Sequence, residues 1–410
     1  MTTKVVAPKL RFKEFQNDWN HRLLGAIYSF KNGVNAEKSQ YGSGYKFINV
    51  LDIINNDYIS YESIIGSVNI SAVEFSKNEI KYGDILFQRS SETREDVGQS
   101  NVYLDVRPVT FGGFVIRGRA EVEIDPIFSH HLLKTSSVRD QITQRSGGAT
   151  RYNIGQESLS AIPICTPELP EQTKIANFLT AVDSKVSQLT KKHELLILYK
   201  KGVMQKIFNQ ELRFKDDEGR EFPEWKLDAL GNLSDVRDGT HESPSFINIG
   251  YPLITSKNLL IDGSLDEATV NFICEKDFNN FNKRSKVSVG DILFGMIGTI
   301  GNPVQVKSSN FAIKNVALIK ETGGLNNSFL TQYLKSPSII KKLDALKTGN
   351  TQKFISLGNL RSMEIASPCS TEQTKIANFL AAIDDKITNV KSQLEAAKEY
   401  KQGLLQQMFV

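Results

Sequence analysis

The side chains of this sequence that could do chemistry are amides, hydroxyls and basic groups in glycine-rich segments. Arginine, lysine, asparagine and glutamine can each make two hydrogen bonds to the edge of a DNA base, whereas serine, threonine and loop N–H groups hold phosphates. Any one such segment could be an ordinary solvated loop, but matching segments recur in both halves of the chain, and this recurrence favours a binding role. The candidate DNA-binding residues of the first half are Lys31, Asn32, Asn49, Gln88, Arg89, Ser90, Ser91, Arg94, Thr150, Arg151 and Tyr152. Those of the second half are Arg237, Thr240, His241, Thr255, Ser256, Lys257, Asn258, Thr299, Asn350, Thr351, Gln352 and Lys353.

The sequence carries no recognisable catalytic motif. Residues 295–301 read GMIGTIG and lack the lysine of a phosphate-binding G-x-x-x-x-G-K-[ST] loop. Neither a G-x-S-x-G nucleophile turn nor an H-E-x-x-H zinc motif occurs. His130 and His131 form the only histidine cluster, and adjacent histidines on a helix point to different faces, which disfavours a metal site. We therefore expect no catalytic residue, no metal site and no cofactor on this chain.

The elements that must position the candidate residues are organised as an internal repeat. Residues 171–179 read EQTKIANFL, and residues 372–380 read EQTKIANFL again. The preceding segments repeat more loosely, with GDILF at 83–87 and at 290–294. The chain therefore contains two diverged domains, and each domain is followed by a nearly identical segment.

A seven-residue apolar period runs through each nearly identical segment and predicts two long helices. Because neither helix has another obvious partner, we expect the two to pair with each other as an antiparallel coiled coil. Gly202 and Gly403 lie within both patterns, although each costs about 1 kcal/mol relative to alanine. We interpret them as points of close backbone approach at a helix crossing, rather than as tolerated defects. The predicted pairing residues are Ile175, Leu179, Val182, Val186, Leu189 and Leu196 in the first helix, and Ile376, Leu380, Ile383, Ile387, Val390 and Leu394 in the second.

Short runs rich in isoleucine, valine, phenylalanine and tyrosine precede each helix and alternate with glycine-, asparagine- and serine-containing turns. This pattern predicts mixed α+β domains. The expected fold is therefore α+β, with two homologous domains, two long helices and a pseudo-two-fold internal repeat. The predicted parts are a first domain at 1–168, a central helix at 169–210, a second domain at 211–368 and a C-terminal helix at 369–410.

Composition restricts the class of protein. The chain has 410 residues, 40% hydrophobic and 23% charged, so each half can bury a core. A net charge of +4 permits an acidic partner without requiring one. The three cysteines form no C-x-x-C motif, the first residues do not resemble a signal peptide, and no apolar run approaches the roughly 18 residues of a membrane span. We expect a cytoplasmic protein without disulfides.

The order of these motifs resembles the specificity subunit of type I restriction–modification systems. The resemblance rests on the two helices that open with EQ-x-x-I, the two GDILF segments, DGTH at 238–241 and GTIG at 298–301, and it covers essentially the whole chain. The first half departs from the pattern at 88–95, where QRSSETRE stands in place of the GMIGTIGN of the second half. Contacts carried over from one half to the other are therefore doubtful in that segment.

The resemblance implies a DNA-reading subunit without catalytic activity of its own. Each target-recognition domain would read one half of a two-part, asymmetric site, and the helices would set the spacer between the halves. Two modification subunits, which bind S-adenosylmethionine and methylate adenine N6, would dock on the helices. Restriction subunits that use ATP and Mg²⁺ would join them as a translocating nuclease.

Two alternatives remain open at the level of sequence. A coiled-coil assembly scaffold that binds no DNA would account for the helices, but not for two elaborate loop-rich domains. An enzyme would need a recognisable active site. A methyltransferase, for example, would show an Asn/Asp-Pro-Pro-Tyr/Phe segment and a glycine-rich cofactor loop, and neither is visible.

Overall fold

A computed structural model describes residues 7–148, 150–322, 324–347 and 353–410. Contacts divide these residues into two compact units. The first unit contains residues up to 190 together with 392–410, and the second contains residues 191–391. Each unit therefore includes one domain, the beginning of one long helix and the end of the other. The four-part division at 168, 210 and 368 stays a prediction about the domains.

The first unit is built on a four-stranded antiparallel sheet of order β2-β9-β5-β7 and a three-stranded sheet of order β4-β3-β8, in which β3 and β8 are parallel. Strand β1 pairs with β11, and β6 pairs with β10. The strands are β1 (Asn20–Leu23), β2 (Tyr28–Asn32), β3 (Tyr41–Ile48), β4 (Ser67–Val68), β5 (Ile85–Gln88), β6 (Ser90–Ser91), β7 (Ser100–Val102), β8 (Thr110–Phe111), β9 (Val115–Ala120), β10 (Tyr152–Asn153) and β11 (Pro163–Thr166). The helices are α1 (Val50–Asn55), α2 (Ala72–Lys77), α3 (Pro126–Leu132), α4 (Ser136–Arg145), α5 (Gln156–Ser160) and the start of α6 (Leu169–Phe208).

The second unit repeats this strand order. Its sheets are β13-β19-β16-β17 and β15-β14-β18, with β14 and β18 parallel, and β12 pairs with β20. The predicted α+β class and pseudo-repeat are thereby confirmed. The strands are β12 (Lys226–Ala229), β13 (Val236–Asp238), β14 (Tyr251–Thr255), β15 (Asn271–Ile273), β16 (Ile292–Gly295), β17 (Gly301–Gln305), β18 (Ala312–Lys314), β19 (Val316–Ile319) and β20 (Glu364–Ser367). The helices are α7 (Leu230–Leu233), α8 (Glu275–Ser285), α9 (Asn327–Leu334), α10 (Pro337–Leu346), α11 (Leu357–Arg361) and α12 (Ser370–Met408). Short 3₁₀ turns lie at Leu24–Ala26, Lys38–Gln40 and Ser256–Asn258.

The glutamate of the repeated EQ pair anchors the first segment of each domain to the helix that follows that domain. The Glu171 carboxylate accepts hydrogen bonds from both Nε and Nη2 of Arg11, at 2.8 and 2.7 Å. The indole N–H of Trp19 also donates to Glu171. Glu372 is fully buried and accepts the equivalent bonds from Arg213 and Trp225. A buried carboxylate with these donors makes the glutamate a structural residue.

The glutamine of the EQ pair ties the helix start to the rest of its domain. Gln172 Oε1 accepts from the backbone N–H of Asp125 at 3.0 Å, and its Nε2 donates to the carbonyl of Pro167 at 2.9 Å. Gln373 makes the same two bonds, from Asn326 N–H at 2.8 Å and to the Pro368 carbonyl at 2.9 Å. The recurrence of EQ in the sequence therefore reflects a hydrogen-bonded junction that occurs once in each unit.

Within each unit, the beginning of one long helix packs against the end of the other. In the first unit, Ile175 and Leu179 of α6 share a core with Leu404 and Met408 of α12. In the second unit, the beginning of α12 packs against the end of α6 in an equivalent core. Because the beginning of one helix meets the end of the other, the paired segments run antiparallel. The members of that core include Met204, Ile207, Ile376, Leu380 and Ile383. The other predicted pairing residues are buried or half-buried, namely Val182, Val186, Leu189, Leu196, Ile387, Val390 and Leu394.

An ion pair between the helix segments also occurs once in each unit. In the first unit, Asp183 of α6 lies 2.5 Å from Lys401 of α12. In the second unit, Asp384 of α12 lies 2.6 Å from Lys200 of α6. The helices exchange roles between the two pairs, as a pseudo-two-fold repeat requires.

The prediction for the two helix glycines was wrong. Apart from the adjacent turns of its own helix, a Cβ atom built on Gly202 or Gly403 would meet no heavy atom of the described residues within 4 Å. These glycines lie on a helix surface next to exposed tyrosines, Tyr199 and Tyr400, and not at a crossing. The repeated glycine therefore contributes to a surface of the helix and not to its pairing.

The histidine pair on α3 lies in the interior of the first unit. His130 is 3% exposed and His131 is fully buried. Among the described residues, no group of histidine, cysteine, aspartate and glutamate side chains is arranged to hold a metal ion. Over the same residues, none of the helices has the length and apolar character needed to cross a membrane.

Candidate nucleic-acid interface

The predicted loops of the first unit meet at one end of its sheets. Backbone bonds join Val34 N–H to the Phe111 carbonyl and Gly113 N–H to the Val34 carbonyl, at 2.9 and 2.8 Å. Arg89 N–H donates to the Phe114 carbonyl at 2.9 Å. The loops that follow β2, β5 and β8 therefore form one cluster. Gly112 N–H donates to the Ile48 carbonyl at the end of β3, and Ile154 N–H, just before α5, donates to the Arg89 carbonyl. The pairing of β6 with β10 adds these two strands to the same cluster.

The candidate side chains of this first cluster divide into exposed and internally bonded groups. Gln88 is 5% exposed and donates to the Ser90 carbonyl at 3.0 Å, so it holds the loop in place. Arg89 Nη1 donates to the Gly113 carbonyl, and Asn49 caps helix α1. Arg151 and its neighbour Thr150 are exposed, whereas Asn32, Ser90, Ser91 and Tyr152 are half-buried.

Two basic candidates of the first unit bond to other elements. Lys31 Nζ donates to the carbonyl of Lys77 at the end of α2, and burial, together with nearby Arg117, lowers the pKa of Lys31. Arg94 Nε donates to the Thr143 carbonyl of α4 at 3.0 Å, although the side chain remains exposed. Both cations are therefore held by carbonyls at helices outside the loops themselves.

The predicted loops of the second unit are joined in the same way. Thr240 N–H donates to the Ile313 carbonyl at 3.0 Å, and Asn315 N–H donates to the Thr240 carbonyl at 3.2 Å. The Ser256 hydroxyl donates to the Asn315 carbonyl and accepts from Met296 N–H. The Met296 carbonyl accepts from Ile355 N–H, and Gly298 N–H donates to the Lys353 carbonyl. Segments that are far apart in sequence thus form one polar surface.

A buried aspartate organises polar groups of this second cluster. Asp238 is 7% exposed, forms an ion pair with Arg284 and makes a hydrogen bond with His241, whose Nε2 lies 2.9 Å away. His241 Nδ1 lies 2.7 Å from the Asn315 side-chain oxygen. The histidine and arginine side chains are both more than half exposed. Asp238 therefore fixes the position of two polar side chains that are largely exposed to solvent.

The remaining candidates of the second unit include both structural and exposed groups. Arg237 is paired with Asp235 at 2.6 Å, and this hydrogen bond raises the pKa of the arginine. The side chains of Thr255 and Asn258 form a capping box, with Asn258 and Ser256 buried. Thr299 is half-buried, and Lys257 and Lys353 are exposed. The predicted residues Asn350, Thr351 and Gln352 lie outside the described residues.

Sequence reasoning missed several residues of these clusters. Arg284 lies in α8, 46 positions from the aspartate it binds, and nothing in its local sequence indicates that contact. Asn315 has a left-handed backbone with φ 55°, which an asparagine before a strand could have suggested. Asn153 bonds to Ser90 across strands β6 and β10, and Phe114 lies in the turn between β8 and β9.

If the two clusters bind DNA, replacing one exposed cation in either cluster should weaken binding and its salt dependence. We expect Arg151→Ala or Lys353→Ala to reduce the slope of log K against log salt by about 0.9, the value for one lost phosphate contact. Duplex binding by the chain with its partner subunits, titrated over salt, measures this slope. Lys81→Ala is the matched control, because Lys81 is 61% exposed and precedes the start of β5, at the opposite end from Arg89. An unchanged slope for both loop variants would count against phosphate contacts at these positions.

The long helices carry a second repeated surface. Within EQTKIANFL, Thr173 and Asn177 are exposed on α6, and Thr374 and Asn378 are exposed on α12. These residues take no part in the EQ junction, and their identity in both copies is not required by the core. Nearby aromatic pairs also recur, with Phe12 against Phe178 and Phe214 against Phe379 at ring distances of 5.9 and 5.5 Å.

Comparison with known proteins gives one consistent result. A family model described as the type I restriction modification DNA specificity domain matches residues 16–197 and again residues 224–399. A putative type I restriction enzyme MjaX specificity subunit from Methanocaldococcus jannaschii is 28% identical, over 97% of this chain and 95% of that protein. The EcoKI specificity subunit of Escherichia coli K12 is 24% identical, over 94% of this chain and 86% of its own length.

The fold has a solved counterpart. The crystal structure of the S subunit of a type I restriction–modification system from M. genitalium matches with a TM-score of 0.61. The match covers 99% of each chain at 16% sequence identity. At that identity the likeness concerns the fold alone, and it extends over both units and both helices.

Proposed function

The chain belongs to the family of type I restriction–modification DNA specificity subunits, and we propose that it reads a two-part, asymmetric DNA target with its two domains. Members of this family are the non-catalytic subunits of their systems, and they work in assembly with other subunits. In this proposal, the chain directs adenine N6 methylation and ATP-dependent restriction by its partners. A DNA target implies that it works in the cytoplasm.

The observation that carries the proposal is the recurrence of one loop cluster with different side chains. Equivalent backbone bonds join the loops after β2 and β8 in the first unit and those after β13 and β18 in the second. The first cluster presents Arg89, Arg151 and Phe114, whereas the second presents His241, Arg284 and Lys353. A shared scaffold with different base- and phosphate-binding groups is suited to reading two different half-sites.

The repeated helix surface supports two copies of one partner. Each unit presents an exposed threonine–asparagine pair from the beginning of one helix, and an exposed tyrosine beside an accessible glycine from the end of the other. Because both sets of residues are identical, the same protein surface can bind each of them. We propose that two modification subunits dock there and supply S-adenosylmethionine. Restriction subunits would then supply ATP hydrolysis and Mg²⁺.

The function is tested by sequencing methylated adenines in cells that express the chain with the modification subunits of its own system. We expect one asymmetric motif with two specified parts separated by a fixed number of unspecified bases. Exchanging residues 1–168 for those of a family member with a known motif should change one part completely and leave the other unchanged.

Two outcomes would contradict this proposal. The absence of any two-part motif, with modification subunits that are active when paired with another specificity subunit, would rule out DNA reading by this chain. Failure of the full assembly to retain duplex DNA even at low salt would instead favour a scaffold that binds no DNA.

A further inference from the structure

The turn that leads from β8 to β9 in the first unit is one residue longer than its counterpart between β18 and β19 in the second; each turn connects the two sheets of its unit. Strand register aligns the two turns at a position before the turn and at a position after it. Three residues, 112–114, lie between the aligned positions in the first unit, and two residues, 314–315, lie between them in the second. The aligned register pairs are Ile48 with Phe111 and Gln88 with Val115 in the first unit, and Ile254 with Ile313 and Gly295 with Val316 in the second.

Backbone bonds identify the additional residue as Phe114. Gly113 donates to the loop that follows β2, and Asn315 donates to the equivalent loop that follows β13, so these two residues are equivalent. Val115 and Val316 are equivalent as the first residues of the next strand. Only Phe114 lies between them without a counterpart. Its carbonyl accepts from Arg89 N–H, whereas in the second unit the Ser256 hydroxyl bridges the corresponding strands.

The Phe114 side chain is exposed although the backbone that carries it is held firmly. The residue is 63% exposed. Arg89 contributes two hydrogen bonds to the turn, from its backbone N–H to the Phe114 carbonyl and from Nη1 to the Gly113 carbonyl. A Cβ atom on Gly113 would lie 1.8 Å from the Asn35 side-chain oxygen, so the turn packs tightly against the preceding loop. The turn thus presents an apolar ring to solvent from a backbone that is held in place.

The position of Phe114 distinguishes it from the single apolar residues that are common on protein surfaces. It lies within the polar loop cluster of the first unit, beside Arg89, and on the same cluster as Ser91 and Arg151. Cationic and hydroxyl groups suit phosphates, whereas an aromatic ring suits the face or methyl group of a base. DNA-binding proteins also use apolar side chains to enter between base steps.

We propose that Phe114 is a specificity-determining residue that makes an apolar contact to a base in the half-site read by the first domain. The inference rests on the proposed function. In the second unit, the equivalent turn ends on Asn315, whose side-chain oxygen faces His241 at 2.7 Å. The two domains therefore place different chemistry at the same point of one scaffold, an apolar ring in the first and hydrogen-bonding groups in the second.

The test uses the chain assembled with its modification subunits and a duplex that contains the motif found by methylation sequencing. We expect Phe114→Ala to lower discrimination against base changes at one position of the first half-site by roughly five- to fifty-fold. Binding to a duplex without the motif should change by less than about twofold, because phosphate contacts dominate that binding. Replacing each thymine of the half-site by uracil, which lacks the methyl group, tests for a methyl contact. If Phe114 makes that contact, uracil should weaken binding by the wild type but leave binding by Phe114→Ala unchanged. With Trp19 and Trp225 changed to phenylalanine, Phe114→Trp should show fluorescence quenching on specific DNA if the ring stacks on a base.

Val106→Ala is the matched control, because Val106 is 88% exposed and follows β7 at the opposite end of the sheet from Gln88. It should leave discrimination unchanged. The inference is overturned if Phe114→Ala discriminates like the wild type, or if it weakens binding to both duplexes equally. A wild-type assembly without a two-part motif would overturn the proposed function instead, so the two failures are distinguishable.

Discussion

Replacing Glu372 with alanine is expected to destabilise the second unit by about 3 kcal/mol, since removing one partner of a buried ion pair leaves the other charge uncompensated. The Glu372 side chain is fully buried, and Arg213 beside it is 19% exposed. The same carboxylate accepts the Trp225 indole N–H, which would also lose its acceptor. The expected loss is therefore larger than for an ordinary surface pair. Glu171→Ala should have a similar effect on the first unit, through Arg11 and Trp19.

Denaturant unfolding of the full chain measures this effect, with Trp225 as the only tryptophan after a Trp19→Phe change. The control is Glu218→Ala, because Glu218 pairs with Arg220 on the surface, where both side chains are about two-thirds exposed. An exposed pair contributes only about 0–1 kcal/mol. The double variant Arg213→Ala/Glu372→Ala should recover part of the loss, because it removes the stranded charge along with its partner. Equal losses for Glu218→Ala and Glu372→Ala would contradict a structural role for the EQ glutamate.

The repeat and the helices could be predicted from the sequence because both are expressed locally. Identity of EQTKIANFL and a seven-residue apolar period need no knowledge of distant contacts. The purpose of the motif could not be predicted in the same way. Arg11 meets Glu171 across 160 positions, and only the fold brings the two together. Gly202 shows that even a locally visible feature can be ambiguous. A repeated glycine is compatible with both a helix crossing and an exposed surface, and the structure shows the exposed surface.

The candidate site was predictable as a set of loops, but not as a set of contacts. Recurrence in two halves indicated which loops to consider, and the structure joins them into one cluster per unit. The residue types that bind DNA also cap turns, so sequence alone could not separate exposed Arg151 from buried Ser256 or Gln88. The single added residue at Phe114 becomes visible only when strand register aligns the two domains.

Acid is expected to destabilise the first unit more than the second, because only the first unit carries a buried histidine against its helix ion pair. His131 Nε2 lies 3.4 Å from Asp183, which is also paired with Lys401. At the equivalent place in the second unit, Gln332 Nε2 donates to Asp384 at 2.8 Å. The two units therefore differ at this contact by one titratable group.

Burial lowers the pKa of His131 to about 4. The charge of Asp183 raises this pKa in part, whereas Lys401 and Lys134 lower it further. Burial also lowers the pKa of His130. In the unfolded chain, a histidine titrates near pH 6.5. Between about pH 6.5 and 4 the unfolded state therefore binds more protons than the folded state, and stability falls as the pH falls. Above about pH 6.5 His131 is neutral in both states, and it causes no loss of stability. Near pH 4 the free energy of unfolding is lower by about 3 kcal/mol because of His131, at 1.36 kcal/mol per pKa unit.

The double variant His130→Thr/His131→Gln isolates this effect, because it installs the residues Thr331 and Gln332 that the second unit has at the same positions. Unfolding followed through Trp19, in a Trp225→Phe background, should show a steep loss of stability from pH 6.5 to 4 in the parent chain and a much shallower one in the variant. The second unit, followed through Trp225, should respond equally in both proteins, since the substitution lies outside it. The same pH dependence at Trp19 in parent and variant would mean that carboxylates, and not the buried histidines, control the acid response of the first unit.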